Sequence, residues 1–204
     1  MEADLGGPRS DGRTARRDRN RELVLDAALE LFAEHHLFPT APEVAERSGV
    51  SPRSVFRYFE DTEALLQAAM ARHLSRIAPL FEIDDVGVGP FRERVRRFTA
   101  ARLRLYEAVA PTARAGLPRA TTSPIIAERF ARTRAEGRVL LEAMFAPELR
   151  ARPAAGRRAA AAAADTLFQF EAIEHLRSHL GLTERQTAEA LHHGLRALLA
   201  TDDR

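Results

Sequence analysis

From Glu22 to Leu199 the apolar residues of this chain recur at three- and four-residue spacing, and the period-two alternation of half-buried strands is scarce. A chain patterned this way has amphipathic helices to bury and little from which to build a sheet. The fold class is therefore all-α, with about nine helices in the 204 residues. A first helix, roughly Asn20 to His35, sets Leu23, Ala27 and Leu31 on one stripe with Val24, Ala28 and Phe32 beside it. A second starts at Thr40, whose hydroxyl and Glu43 spell a capping box, and stops at Gly49. Ser51 caps a third, short helix with Pro52 in its first turn, running to about Phe59. Thr62 caps a fourth, with Leu65, Leu66, Ala69 and Met70 on its apolar face.

Asp84, Asp85, Gly87 and Gly89 fall in an acidic, turn-rich break over residues 81–89, where a domain boundary is expected. Beyond it, Pro90 opens a long helix through Ala108, Pro111 restarts a short one, and Leu117 to Ser123 reads as a loop. Pro124 begins another long helix ending near Phe145. A further helix, about Gly156 to Leu180, starts as an alanine run and turns strongly apolar before Gly181 stops it. Thr183 and Gln186 form a second capping box for the last helix. The expected organisation is a flexible basic arm over 1–18, a DNA-binding domain over 19–80, and a ligand-binding and dimerisation domain over 90–204.

Composition narrows the function classes. A hydrophobic content of 45 % suffices for a sizeable core, yet no run approaches the ~18 apolar residues of a membrane span, and no leader precedes the first helix. A cytoplasmic location with no membrane partner is expected. The lack of cysteine excludes disulfides and thiolate zinc sites. All 31 basic residues are arginine, but residues 1–76 carry 11 of them against 13 acidic residues, so bulk charge does not draw this region to nucleic acid. Distribution decides instead: six arginines face two aspartates between Arg9 and Arg21. Such an arm, Arg16 and Arg17 included, suits phosphates or a minor groove, although basic tails also serve solubility alone.

The segment Thr40 to Phe59, T-A-P-E-V-A-E-R-S-G-V-S-P-R-S-V-F-R-Y-F, is a helix-turn-helix in sequence form. Val44, Ala45, Val50 and Val55 can pack its two helices together. Its second helix would expose Pro52, Arg53, Ser54, Arg57 and Tyr58, with no acidic residue from Ser51 to Phe59 to repel phosphate. Arginine grips guanine with two hydrogen bonds, so Arg53 is the expected base reader. Arg57, Tyr58, the Ser51 and Ser54 hydroxyls and the helix N-terminal amides are expected at phosphates. Two capped helices around a glycine turn also occur purely as structure.

The stretch E-L-V-L-D-A-A-L-E-L-F-A-E-H-H (Glu22 to His36), the turn motif, and R-Y-F-E-D-T-E-A-L-L (Arg57 to Leu66) together resemble the DNA-binding domain of the TetR family. The later helices, ending in a Phe-rich pair joined by G-L-T-E-R-Q, are similar to the family's more variable ligand-binding half. The resemblance implies a transcriptional regulator, most often a repressor: a homodimer through the last two helices that reads a near-palindromic double-stranded operator and is released by a small-molecule effector. Carried over by position, Thr40, Pro52, Arg53, Ser54, Arg57 and Tyr58 match the family's DNA-contacting places. The chain departs from the family where His36 stands for a usual Gly, Phe56 for a common Tyr, and Thr62 for a common Lys.

For the effector, Phe98, Met144 and Phe168 are expected to line an apolar pocket, with Arg102, Tyr106, Glu171 and His175 as polar groups, although core packing claims the same apolar stripes. The effector itself is not specified, and no cofactor is expected. His175 and His179 share a helical face beside Glu174, a spacing able to hold a metal, but no third ligand is in reach by sequence and none is assigned. Phe168, Ile173, Leu176, Leu191, Leu195 and Leu198 exceed what a terminal hairpin would hide, which argues for the dimer unless they pack within one subunit. A helical-bundle enzyme is disfavoured by the absence of a Gly-x-Ser-x-Gly elbow, a phosphate loop or a His-Glu-x-x-His pair. A ligand-binding bundle without DNA specificity is the other alternative.

Overall fold

The computed structural model describes residues 11–34, 36 and 38–200, and every regular element among them is helical. The chain divides into two compact units between Ser75 and Arg76. The first holds α1 (Asp11–Ala33), α2 (Ala41–Ser48), α3 (Pro52–Tyr58) and all but the last two residues of α4 (Thr62–Ile77). Val24, Ala28 and Phe32 of α1, Val44 and Ala45 of α2, Val55 of α3 and Leu65, Leu66 and Ala69 of α4 are all buried. The predicted α1 stripe divides: Ala27 and Leu31 are buried, whereas Leu23 lies off the buried arc and is 50 % exposed.

α1 begins at Asp11, well before Asn20, so residues 11–18 of the expected flexible arm are helical. Alanine and arginine are good helix formers, and the missing apolar periodicity says only that these turns have nothing to bury. The rest of the expected arm, residues 1–10, lies outside the described residues. At the other end, the His36 N–H donates to the Leu31 carbonyl at 2.9 Å, the six-to-one bond that closes a helix end. Asp61, not Thr62, caps α4, its Oδ1 accepting from the Ala64 N–H at 2.7 Å.

The second unit holds a 3-10 turn (Ala78–Phe81), α5 (Phe91–Arg119), α6 (Pro124–Met144), α7 (Ala146–Arg150), α8 (Ala154–Leu167), α9 (Phe170–Glu174), a π turn (His175–His179) and α10 (Glu184–Leu199). α5 runs unbroken for 29 residues through Pro111 and Pro118, where two shorter elements were expected. An interior proline forgoes one backbone hydrogen bond and costs roughly 3 kcal/mol. Burial of Ala110, Thr112, Ala113 and Ala115 around Pro111 offsets that cost. The helix expected over 156–180 is instead divided at Gln169, which is extended at ψ 151. Phe168 and Ile173, set far apart around a straight helix, both reach the core across this break.

An aromatic relay centres the second unit: Phe98 meets Phe145 edge-on at 5.4 Å and Phe168 at 4.9 Å, and Phe145 meets Phe91 at 6.0 Å. Beside it lies a buried ion pair that periodicity cannot reveal. Arg94, 4 % exposed, forks onto Glu148 while donating to the Met144 carbonyl at 2.6 Å and the Gly89 carbonyl at 3.0 Å. Phe168, Ile173, Leu191 and Leu195, which argued for a dimer surface, are buried in this unit's own core, and Leu176 and Leu198 pack against it. Their excess over a hairpin is absorbed by α5, α6 and α8, so they carry no argument for an interface.

Replacing Arg94 by Ala leaves the Glu148 carboxylate buried without its partner. Urea unfolding is expected to show a loss of about 3 to 5 kcal/mol, part of which returns in the Arg94→Met/Glu148→Leu double variant. A loss below about 1 kcal/mol, typical of surface pairs, would show that the pair is solvated.

Candidate functional site

α2 and α3 are set by local chemistry. The Glu43 carboxylate accepts from the Thr40 N–H at 2.7 Å and its hydroxyl at 2.6 Å, and the Thr40 hydroxyl accepts from the Glu43 N–H at 3.5 Å. The Thr40 hydrogen bonds hold the Glu43 carboxyl below the usual carboxylate range. Gly49 then turns the chain at φ 67, a left-handed conformation costly for any side chain. The Ser51 hydroxyl accepts from the Ser54 N–H at 3.3 Å and starts α3. Val55 and Phe59 face inward, which leaves Pro52, Arg53, Phe56 and Arg57 exposed and Ser54 and Tyr58 half-buried.

Arg53 has no side-chain hydrogen-bond or ion-pair partner among the described residues. Arg57 Nη2 donates to the Tyr58 hydroxyl at 3.2 Å, and its guanidinium stands 5.2 Å from the ring. That hydrogen bond, with others from Asn20 and the nearby charge of Arg17, draws the Tyr58 phenol below its ordinary range. Tyr58 of α3 therefore meets the Arg17 end of α1, and exposed Arg16 adjoins them in sequence. Phe56, 53 % exposed, is an apolar group on the same outward surface. The combination is an anion-attracting helix with one unencumbered guanidinium and a small apolar contact, suited to phosphates and base edges.

In the second unit the expected pocket residues separate. Phe98, Met144 and Phe168 are packed in the core. Glu171 is ion-paired with Arg134 at the surface, and exposed His175 stacks on His179 at 5.5 Å. Among the described residues no three metal-capable side chains gather. Buried Tyr106 donates instead to Glu174 at 2.5 Å, and Arg114 reaches both carboxylate oxygens of Glu174 at 3.0 Å. Ser178 completes the set at 2.9 Å. In sequence Glu174 stands out only as a neighbour of the His175–His179 pair; the signal for its place here is that Tyr106 and Arg114, eight apart, share a face of α5. Burial and the Glu174 carboxylate push the Tyr106 phenol up to about 12. Burial opposes ionised Glu174, but the Arg114, Tyr106 and Ser178 hydrogen bonds outweigh it and hold the carboxyl below its usual range.

Arg102 lines a cleft of about 450 Å³ with apolar Phe81, Ile83 and Leu140 and acidic Glu82, Asp84 and Glu136. Its guanidinium lies beside Gly137 and donates to the Phe168 carbonyl at 3.0 Å. Burial pulls this guanidinium down from its ordinary range, against the opposing charge of Asp165.

Residues 24–69 match the family model described as bacterial regulatory proteins, tetR family. Over 92 residues the chain is 35 % identical to the HTH-type transcriptional repressor LfrR of Mycolicibacterium smegmatis, a match covering 44 % of this chain and 47 % of the relative. The chain thus spans about half the length of the curated relative it matches. Among solved structures, a transcriptional regulator from Rhodococcus sp. Rha1 superimposes with a TM-score of 0.68 at 24 % identity, covering 88 % of this chain and 95 % of that one. The SmeT–triclosan complex does so with a TM-score of 0.63 at 16 % identity, covering 91 % and 93 %. At these identities the structural likeness establishes the fold.

The chain's two tyrosines are expected to ionise far apart. Tyr106, raised from 10.0 to about 12, favours the neutral phenol in the fold, so its stabilisation is complete below pH 10.0 and fades as pH rises toward 12. A phenolate absorbance titration should therefore show a lower wave from Tyr58 and an upper one that vanishes in Tyr106→Phe. A single wave at the ordinary tyrosine pKa would disprove the buried network.

Proposed function

We propose that this chain is a transcriptional repressor of the TetR family, gripping operator DNA through α2 and α3 and letting go when a small molecule occupies its C-terminal unit. The carrying observation is α3 itself: capped, free of acidic residues, with Arg53 exposed and unpaired among the described residues. Arg53 reads a base pair in the major groove, while Arg57, Tyr58, Ser51, Ser54 and Thr40 hold phosphates. Pro52 shapes the first turn of α3, and Arg16 and Arg17 add backbone contacts from α1. Phe56 exchanges a phosphate-directed hydroxyl for an apolar surface suited to a thymine methyl.

Two copies reading a near-palindrome require a homodimer, formed through the outer faces of the last two long helical segments, 154–179 and 184–199. The effector site is the Arg102 cleft, whose apolar wall, one guanidinium and three acidic residues suit an organic molecule carrying hydrogen-bond donors beside an acceptor group. SmeT, a protein of this fold, holds triclosan. Sedimentation at micromolar concentration is expected to report a dimer; a monomer would remove the two-half-site reading.

A competition shift assay with the DNA upstream of the gene tests the DNA reading. Specific retention against bulk competitor is expected, and equal displacement by any duplex would favour a ligand-binding bundle that has lost operator specificity. Arg53→Ala should weaken specific binding by about 1 to 3 kcal/mol and relax one base position per half-site. Arg57→Ala should weaken all sequences alike and flatten the salt dependence by roughly one phosphate contact. If Arg53→Ala also acts uniformly, its role is at phosphate.

A further inference from the structure

We propose that a second cleft, built from α6, α7 and α8, binds a small polyanion bearing phosphate groups. It encloses about 410 Å³, within the range of small-molecule sites, and shares no lining residue with the Arg102 cleft. The inference stands on its own residues and does not depend on the DNA-binding reading.

Arg150, Arg157 and Arg158 line this cleft, all exposed, and none has a side-chain hydrogen-bond or ion-pair partner among the described residues. Elsewhere in the unit the arginines are largely committed: Arg94, Arg114, Arg134 and Arg177 each hold a carboxylate on another element. The cleft's one acidic residue, Glu142, is already taken by Arg138 at 2.9 Å. Residues 150–158, R-A-R-P-A-A-G-R-R, contain four arginines and no acid, and Arg152 is spent on the Leu198 carbonyl at 2.7 Å. Three arginines without a side-chain partner among the described residues therefore border one concavity.

The adjoining end of α8 adds to the positive field. Its N-cap, Pro153, offers no side-chain acceptor, and its first turn carries no acidic residue. Arg157 and Arg158 thus stand one turn into a helix whose N-terminal amides are already positive, a like-charge arrangement that an anion relieves. Guanidinium forks match phosphate oxygens bidentately, and three of them call for at least two negative charges. Leu149, Ala154 and Ala161 supply an apolar wall for the organic part of such a molecule. The small, concave volume favours a compact ligand over a duplex, whose phosphates need cations spread along a track.

Calorimetry on the full chain at low ionic strength, with pyrophosphate as the probe and inorganic phosphate for comparison, tests the site. Saturable binding at one site per chain is expected, with pyrophosphate about tenfold or more tighter than phosphate. Arg157→Gln/Arg158→Gln and, separately, Arg150→Gln should each weaken it, the double variant by about tenfold or more. Arg92→Gln/Arg104→Gln, which removes two exposed arginines of α5 outside the cleft, should leave it unchanged. Absence of saturable heat, or equal losses in the cleft and control variants, overturns the proposal. So does a result in which short duplex DNA, and not pyrophosphate, depends on Arg157 and Arg158, since the cluster would then be a nucleic-acid contact.

Discussion

A seven-residue helix does not persist alone in water, where even good sequences need roughly 12 to 15 residues, so α3 depends on what holds it. Ser51 closes its first turn, and Val55 and Phe59 lock its inner face into the core. The Arg21 guanidinium of α1 lies 5.1 Å over the Phe59 ring. α1 is the strut for the other helices as well. Arg47 of α2 forks onto Glu34 at 2.8 Å, and Arg72 of α4 reaches Glu22 and Asp26. Each exposed pair contributes little by itself, but together with the Val24–Ala28–Phe32 arc they fix the angle at which α3 presents its arginines.

Much of this unit was legible in sequence because its determinants are local. Thr40 with Glu43, Gly49, and Ser51 with Pro52 each act within one turn, and the elements they predict stand where expected. The start of α1 was not legible, since Ala15 to Arg19 have helical propensity but no buried face, and an apolar pattern cannot register a helix that packs nothing.

In the second unit the informative contacts join residues far apart in sequence. Arg94 and Glu148 are 54 residues apart, and Tyr106 and Glu174 are 68 apart. Periodicity placed each on a helix but could not pair them. Glu171 and Glu174 were indistinguishable before the break at Gln169 set the rotation of α9, turning Glu174 toward α5 and Glu171 toward Arg134. The prolines misled for a related reason. Pro111 predicts a helix boundary only if nothing else holds the backbone, and buried neighbours on both sides hold it.

Net charge is a poor guide to what this chain attracts. Its 31 arginines nearly balance 29 acidic residues, so affinity for anions must come from places where the pairing fails. In the first unit the failure falls on α3, where no carboxylate lies between Ser51 and Phe59 to quench Arg53 and Arg57. In the second it falls after Arg150, where an alanine run follows Arg157 and Arg158 and supplies helix without supplying acids. A guanidinium already forked onto a carboxylate, as in Arg94 or Arg114, must give up those bonds before it can hold a phosphate. An unpaired one gives up only water. Local pairing, more than the total of basic residues, therefore decides where an anion can settle on this protein.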